Sequence, residues 1–217
     1  MQTIDTVLFD LDGTLLDTAP DMAAALNTLR KQRKLQDISL DIIRPFVGFG
    51  SKALLKLGFD IDEKSQEYPG LLEEFFDVYQ SCLAQSTELF PEMSLVLDHL
   101  EKNNIRWGIV TNKPTRFTVD ILAALDLSRR TNCVVCGDTL EKRKPDPDSI
   151  LYACKILNST PENVLYVGDT ITDVTASKAA GTISLVALYG YISEDEDPYE
   201  WNADGYIETA GEIINWV

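Results

Sequence analysis

Thr6-Val7-Leu8-Phe9-Asp10-Leu11-Asp12-Gly13-Thr14 opens with four β-leaning residues and then breaks into acids and a glycine. Val7, Leu8 and Phe9 are apolar on both parities, so neither face of this strand suits water. That is the pattern of a strand inside a parallel sheet. Short runs of the same kind recur at 105–110, 133–136, 164–167 and 183–187. Between them the apolar spacing turns helical: Met93, Val96, Leu97 and Leu100; Phe117, Ile121, Leu122 and Leu125; then Ile150, Leu151, Cys154 and Leu157 behind Pro147. Proline suits a helix's first turn. The alternation predicts an α/β fold, a Rossmann-like parallel sheet flanked by helices.

Between residues 20 and 86 the alternation stops. Only helix-like segments occur there, at 21–34, 39–44, 51–57 and 67–84. An all-helical block between the first and second strands reads as an inserted cap domain. The expected division is a core of residues 1–16 and 88–217 and a cap of residues 17–87, with hinges near 17–20 and 86–91. The acidic run Ser193-Glu194-Asp195-Glu196-Asp197-Pro198 reads as a solvated loop.

The chain has 217 residues, 45% hydrophobic and 25% charged, which excludes a disordered or low-complexity protein. Its 19 basic residues against 35 acidic ones give a net charge of −16. No cationic surface is available for a phosphate backbone, so no nucleic-acid partner is expected. No apolar run reaches about 18 residues, so no membrane partner is expected either. Met1-Gln2-Thr3-Ile4-Asp5 lacks the basic start and apolar stretch of a signal peptide. The four cysteines are Cys82, Cys133, Cys136 and Cys154; the Cys-x-x-Cys has no second pair, and His99 is the sole histidine. Cys133 and Cys136 therefore read as packing residues of a reduced, cytoplasmic protein. The Trp216-Val217 end suits internal packing or a partner copy, so a monomer and a homodimer are both open.

In a parallel sheet, ligands bind beyond the carboxyl ends of the strands. There stand Asp10 and Asp12, then Thr111 and Asn112, then Lys144, then Asp169 and Asp173. Asp10 and Asp12, two apart, project to one side of an extended chain. One carboxylate can attack while the other moves a proton. Converging carboxylates need a cation to stay ionised together, and hard oxygen donors point to Mg²⁺. Lys144 and the Thr111 hydroxyl suit phosphate oxygens. Gly13 allows a sharp turn behind the first acid.

These motifs carry a resemblance. Phe9-Asp10-Leu11-Asp12-Gly13-Thr14-Leu15-Leu16-Asp17-Thr18 resembles motif I of the haloacid dehalogenase superfamily phosphatases. Thr111-Asn112-Lys113-Pro114 resembles motif II, Lys144-Pro145-Asp146-Pro147 motif III, and Gly168-Asp169-Thr170-Ile171-Thr172-Asp173 motif IV. The resemblance spans the chain and implies a phosphatase acting on a small phosphorylated substrate. It implies Asp10 as nucleophile, forming an aspartyl-phosphate, and Asp12 as acid and then base. Mg²⁺ is implied on Asp10, the Asp12 carbonyl and Asp169, supported by Asp173. Thr111 and Asn112 are implied to hold the phosphoryl group, and Lys144 to bridge it to the nucleophile. Dehalogenases and phosphonate hydrolases of the superfamily lack an acid at the place of Asp12, which favours phosphomonoesters or phosphoryl transfer. The cap holds no histidine, which counts against a β-phosphoglucomutase-like transfer. A catalytically silent ligand-binding member is the alternative from another class, and the intact acid set counts against it.

Arg44-Pro45-Phe46-Val47-Gly48-Phe49-Gly50-Ser51-Lys52 resembles a stretch of phosphoglycolate phosphatases. Gly48 and Gly50 permit close backbone approach, and Arg44 or Lys52 suits a substrate carboxylate. Surface charge and a helix-ending turn are the bland alternative. Read as a dinucleotide fingerprint, Gly48-Phe49-Gly50 lacks a preceding strand and a third glycine. The tail from Tyr189-Gly190-Tyr191-Ile192 to Asp204, with Trp107 to Phe117, resembles a branch that dephosphorylates N-acetylmuramic acid 6-phosphate. That acid and 2-phosphoglycolate both carry a carboxylate.

Overall fold

The computed structural model describes residues 3–131 and 133–217. Met1 and Gln2, at the head of the segment read as lacking a signal peptide, lie outside the described residues. Strands β1 (Thr6–Phe9), β4 (Arg106–Val110), β5 (Val134–Val135), β6 (Val164–Gly168), β7 (Ile183–Ala187) and β8 (Gly205–Ile207) form one parallel sheet. Their order is β5-β4-β1-β6-β7-β8. Alternation along β1 divides its side chains between two layers. Val7 and Phe9 enter a core with Trp107, Ile109 and the buried faces of α5 (Met93–Lys102) and α6 (Thr115–Ala124). Leu8 enters the opposite core with Tyr166 and the buried faces of α7 (Asp148–Leu157) and α8 (Ile171–Ala180). Both faces of the strand are covered, as its sequence predicts.

Register sets the site. Phe9 pairs with Ile109 on one side and with Val167 on the other, so β1, β4 and β6 end level. The residues that follow them therefore meet at one edge of the sheet.

The stretch between β1 and β4 begins and ends with a small antiparallel pair, β2 (Leu16–Asp17) and β3 (Glu88–Leu89). Between them lie α1 (Ala19–Gln32), α2 (Leu40–Val47), α3 (Gly50–Phe59) and α4 (Tyr68–Ser81). Leu26, Leu29, Leu54, Leu55 and Phe75 close a separate apolar cluster among these helices. Asp21, only 2% exposed, accepts bonds from Ser86 N at 2.8 Å, Thr87 N at 3.1 Å and Thr87 Oγ1 at 2.6 Å. It ties the start of the helical stretch to its end.

Several expected boundaries shift. α1 begins at Ala19 rather than 21, because Pro20 fits its first turn. α2 continues through Pro45 to Val47, where Ile43 and Val47, one turn apart, anchor it in the helical core. β8 is an addition to the expected strands, and the Trp216 ring packs on its Gly205, so this end packs internally. Among the described residues, no helix is long and apolar enough to cross a membrane. Cys133 and Cys136 flank β5 as buried free thiols, and burial pushes Cys133 to about 11, which keeps it a neutral packing group.

Candidate active site

The floor is built from strand ends. Asp10 follows β1 and its backbone N–H donates to Val167 O at 2.9 Å, extending the ladder. Asp169 follows β6. Its Oδ1 accepts from Thr14 Oγ1 at 2.9 Å and its Oδ2 from Tyr191 N at 2.8 Å. Gly13 explains how the chain passes: its φ is +86°, and a Cβ there would lie 2.1 Å from Asp169 Oδ2. Only glycine fits that turn.

Asp173 lies in the first turn of α8. Its Oδ2 accepts from Thr170 N at 3.1 Å and Thr170 Oγ1 at 2.7 Å, completing a capping box. Its Oδ1 accepts from Lys144 Nζ at 2.7 Å and Tyr166 OH at 2.9 Å. Lys144 Nζ also stands 2.8 Å from Asp10 Oδ1, although without the angles of a hydrogen bond. Burial opposes the Lys144 charge, but Asp10 and Asp173 outweigh it and hold the ammonium above its ordinary range. Burial pushes Asp10 up to about 6 against the pull of Lys144. Burial, then the Asp10 and Asp173 charges, push Asp169 well above the carboxylate range.

Carboxylate oxygens of Asp10, Asp169 and Asp173 lie within 4.8 Å of one another. The donors are all oxygen, all three residues are buried, and Asp10 Oδ1 lacks a hydrogen bond. Such a group could hold a hard divalent cation, which would also offset the burial and mutual repulsion that raise Asp10 and Asp169.

The Asp12 carboxylate turns elsewhere. Its Oδ1 accepts from Thr18 Oγ1 at 2.6 Å and from Lys113 Nζ at 2.9 Å. Thr111 Oγ1, at the end of β4, accepts from Lys113 N at 3.1 Å, and Asn112 Nδ2 donates to Lys144 O at 3.0 Å. Sequence reasoning missed Lys113 and Tyr166. Lys113 lies in the quoted Thr-Asn-Lys-Pro run, so its position was visible, but its partner was not. Burial opposes its charge, and Asp12 together with Tyr79 more than restores it. Its Nζ sits 4.8 Å from the Tyr79 ring centroid, so α4 reaches this ion pair.

A cavity of about 630 Å³ lies above the floor. Asp10, Asp12, Thr111, Asn112 and Lys144 line it from the sheet side. Gly48, Phe49, Gly50, Lys52, Phe76 and Tyr79 line it from the helical side. Asp169 and Asp173 lie behind this lining, 1% exposed. Arg44 does not line the cavity. Its Nη1 lies 2.8 Å from Asp17 Oδ1, and its guanidinium stacks 5.7 Å from the Tyr191 ring centroid. Lys52 lines the cavity while paired with Glu63. Tyr191, known in the sequence only as part of a resembling tail, accepts from Thr18 N at 2.7 Å and Ala19 N at 2.9 Å.

The model for "Haloacid dehalogenase-like hydrolase" proteins matches residues 7–187. An N-acetylmuramic acid 6-phosphate phosphatase from Pseudomonas putida KT2440 is 39% identical over 202 residues, covering 93% of this chain and 91% of that one. A phosphoglycolate phosphatase from Xanthomonas campestris pv. campestris 8004 is 41% identical over 203 residues, with the same coverages of 93% and 91%. Among solved structures, one described as a predicted phosphoglycolate phosphatase from Haemophilus somnus 129PT superposes with a TM-score of 0.88 at 26% identity, covering 100% of this chain and 99% of that one. The family match runs from β1 through β7 and takes in every residue of the strand-end floor, and the chain belongs to the haloacid dehalogenase-like hydrolase family.

Proposed function

We propose that this chain is a Mg²⁺-dependent phosphomonoester hydrolase of a small acidic phosphometabolite, working in the cytoplasm. The observation that carries the reading is the convergence of Asp10, Asp169, Asp173 and Lys144 under one cavity, with Thr111 at its wall. Four free thiols among the described residues suit a reduced compartment.

In this reading Asp10 attacks phosphorus, the ester bond breaks and an aspartyl-phosphate forms, dividing hydrolysis into two easier steps. Asp12 gives its proton to the departing alkoxide and then takes one from the water that attacks the phosphoenzyme. Lys113, against Asp12, holds that carboxyl in place. Thr111 Oγ1, the Asn112 backbone and Lys144 Nζ bind the phosphoryl oxygens. Asp10, the Asp12 carbonyl and Asp169 would hold Mg²⁺, with Asp173 behind them, and the ion supplies charge neutralisation for phosphate beside carboxylates. The aromatic groups of α4 and α6 exclude water. We further propose that residues 17–87 act as a cap over a core of 1–16 and 88–217, hinged near 17–20 and 86–91.

The preferred substrate is N-acetylmuramic acid 6-phosphate. A cavity of about 630 Å³ with Phe49, Phe76 and Tyr79 in its wall suits an acylated sugar better than a two-carbon acid. 2-Phosphoglycolate is the second reading, favoured by the Xanthomonas relative at 41% identity. Hydrolysis of p-nitrophenyl phosphate with Mg²⁺, and its loss in EDTA, tests the activity. Comparing kcat/KM for the two acids and common sugar phosphates tests the choice. Equal values throughout would sink both substrates, and no metal-dependent turnover above Asp10→Asn would sink the enzyme.

A further inference from the structure

Among the described residues, four basic side chains line the cavity: Lys52, Lys113, Arg143 and Lys144. Three of them already face carboxylates. Lys113 holds Asp12, Lys144 holds Asp10 and Asp173, and Lys52 pairs with Glu63. Arg143 is exposed, and its side chain makes no hydrogen bond, ion pair or ring contact with the described residues. Its backbone is fixed even so. Asp146 N donates to Arg143 O at 2.9 Å, and Asn112 Nδ2 donates to the next carbonyl, Lys144 O, at 3.0 Å. A free guanidinium thus stands on an anchored loop, one residue from the lysine against Asp10.

Arg44, the other arginine considered for a substrate carboxylate, is held by Asp17 outside the cavity lining. Recruiting it would break that pair, and recruiting Lys52 would release Glu63 into the cavity mouth. Arg143 needs no such exchange, and its planar fork matches a carboxylate with two parallel hydrogen bonds.

We propose that Arg143 receives the carboxylate of the acidic phosphomonoester and is the residue that separates acidic substrates from their neutral counterparts. This rests on the phosphatase reading above. The test uses matched pairs: N-acetylmuramic acid 6-phosphate against N-acetylglucosamine 6-phosphate, which lacks the lactyl carboxylate, and 2-phosphoglycolate against ethyl phosphate. The quantity is the kcat/KM ratio of acid to neutral partner, for whichever pair the wild type discriminates more strongly. Arg143→Ala should lower that ratio about 10- to 100-fold, mainly through KM for the acid. Arg143→Lys should keep part of it, and Lys52→Ala should lower it less than Arg143→Ala does.

An unchanged ratio in Arg143→Ala, or a larger fall in Lys52→Ala, overturns the assignment. Calorimetric binding of the same pairs to the Asp10→Asn protein judges Arg143 without turnover. There the acid should lose its advantage when Arg143→Ala is added, and a retained advantage overturns the proposal. Failure of wild-type protein to hydrolyse p-nitrophenyl phosphate would count against the phosphatase reading and leave this binding comparison intact.

Discussion

The floor and the roof of the cavity hold their charges in opposite ways. On the floor, Lys144 is 4% exposed and fixed by Asp10 after β1, Tyr166 within β6 and Asp173 in the first turn of α8. On the roof, Lys52 and Glu63 pair in water, with side chains 61% and 53% exposed. The floor cannot rearrange without stranding a buried charge, whereas the exposed roof pair contributes little to holding the fold. A preorganised floor suits chemistry common to many phosphate esters, and the unpaired Arg143 on the loop beside it suits the choice among them.

The sharpest way to break this contrast is to disable the floor. Asp10→Asn should cut Mg²⁺-dependent hydrolysis of p-nitrophenyl phosphate by about 10⁴-fold or more, because no second group replaces a nucleophile. A loss under tenfold would mean that attack comes from elsewhere. Lys144→Met should leave Asp10 and Asp173 without their shared cation and lower stability by about 3–5 kcal/mol, read by urea unfolding of the metal-free protein. An unchanged midpoint would show that the floor is not held by charge.

A third expectation concerns pH. The Asp10 carboxyl is raised from 3.8 to about 6, so the native metal-free protein binds more protons there than the unfolded chain does. This contribution to stability is full below about 4 and is lost as pH rises through about 6. A cation held by Asp10, Asp169 and Asp173 would reverse the penalty by neutralising the ionised groups. The rise in Tm on adding Mg²⁺ should therefore be larger at pH 7 than at pH 5; an equal or smaller rise at pH 7 would contradict it. The smallest effect belongs to the roof. Lys52→Met should leave the urea midpoint of the free protein within error, and a fall as large as that of Lys144→Met would erase the distinction between the two regions.

The same contrast governs how much was legible in the sequence. Asp10, Thr111 and Asp169 each follow a buried apolar run, so local pattern located them and parallel register brought them together. The tail was harder to read. β8 has three residues, one of them a glycine, and it is recognisable only with the Trp216 ring lying on Gly205. Tyr191 lies 174 positions from its partner Asp17, and no local pattern encodes such a contact. For Arg44 and Lys52 the residue type was right for a carboxylate, but Asp17 and Glu63 had already engaged them. Availability of a cation depends on its neighbours in space, which explains why Arg143, a plain residue in a basic loop, escaped notice.

As the proposed nucleophile, Asp10 should carry the phosphoryl group through turnover. Acid quench during hydrolysis of N-acetylmuramic acid 6-phosphate or p-nitrophenyl phosphate, followed by peptide mass analysis, measures it directly. One phosphoryl group is expected on the peptide containing Asp10, absent from Asp10→Asn and accumulating in Asp12→Asn, where the attacking water lacks its base. Steady turnover with no phosphoryl group on that peptide in Asp12→Asn, or full turnover by Asp10→Asn, would contradict it.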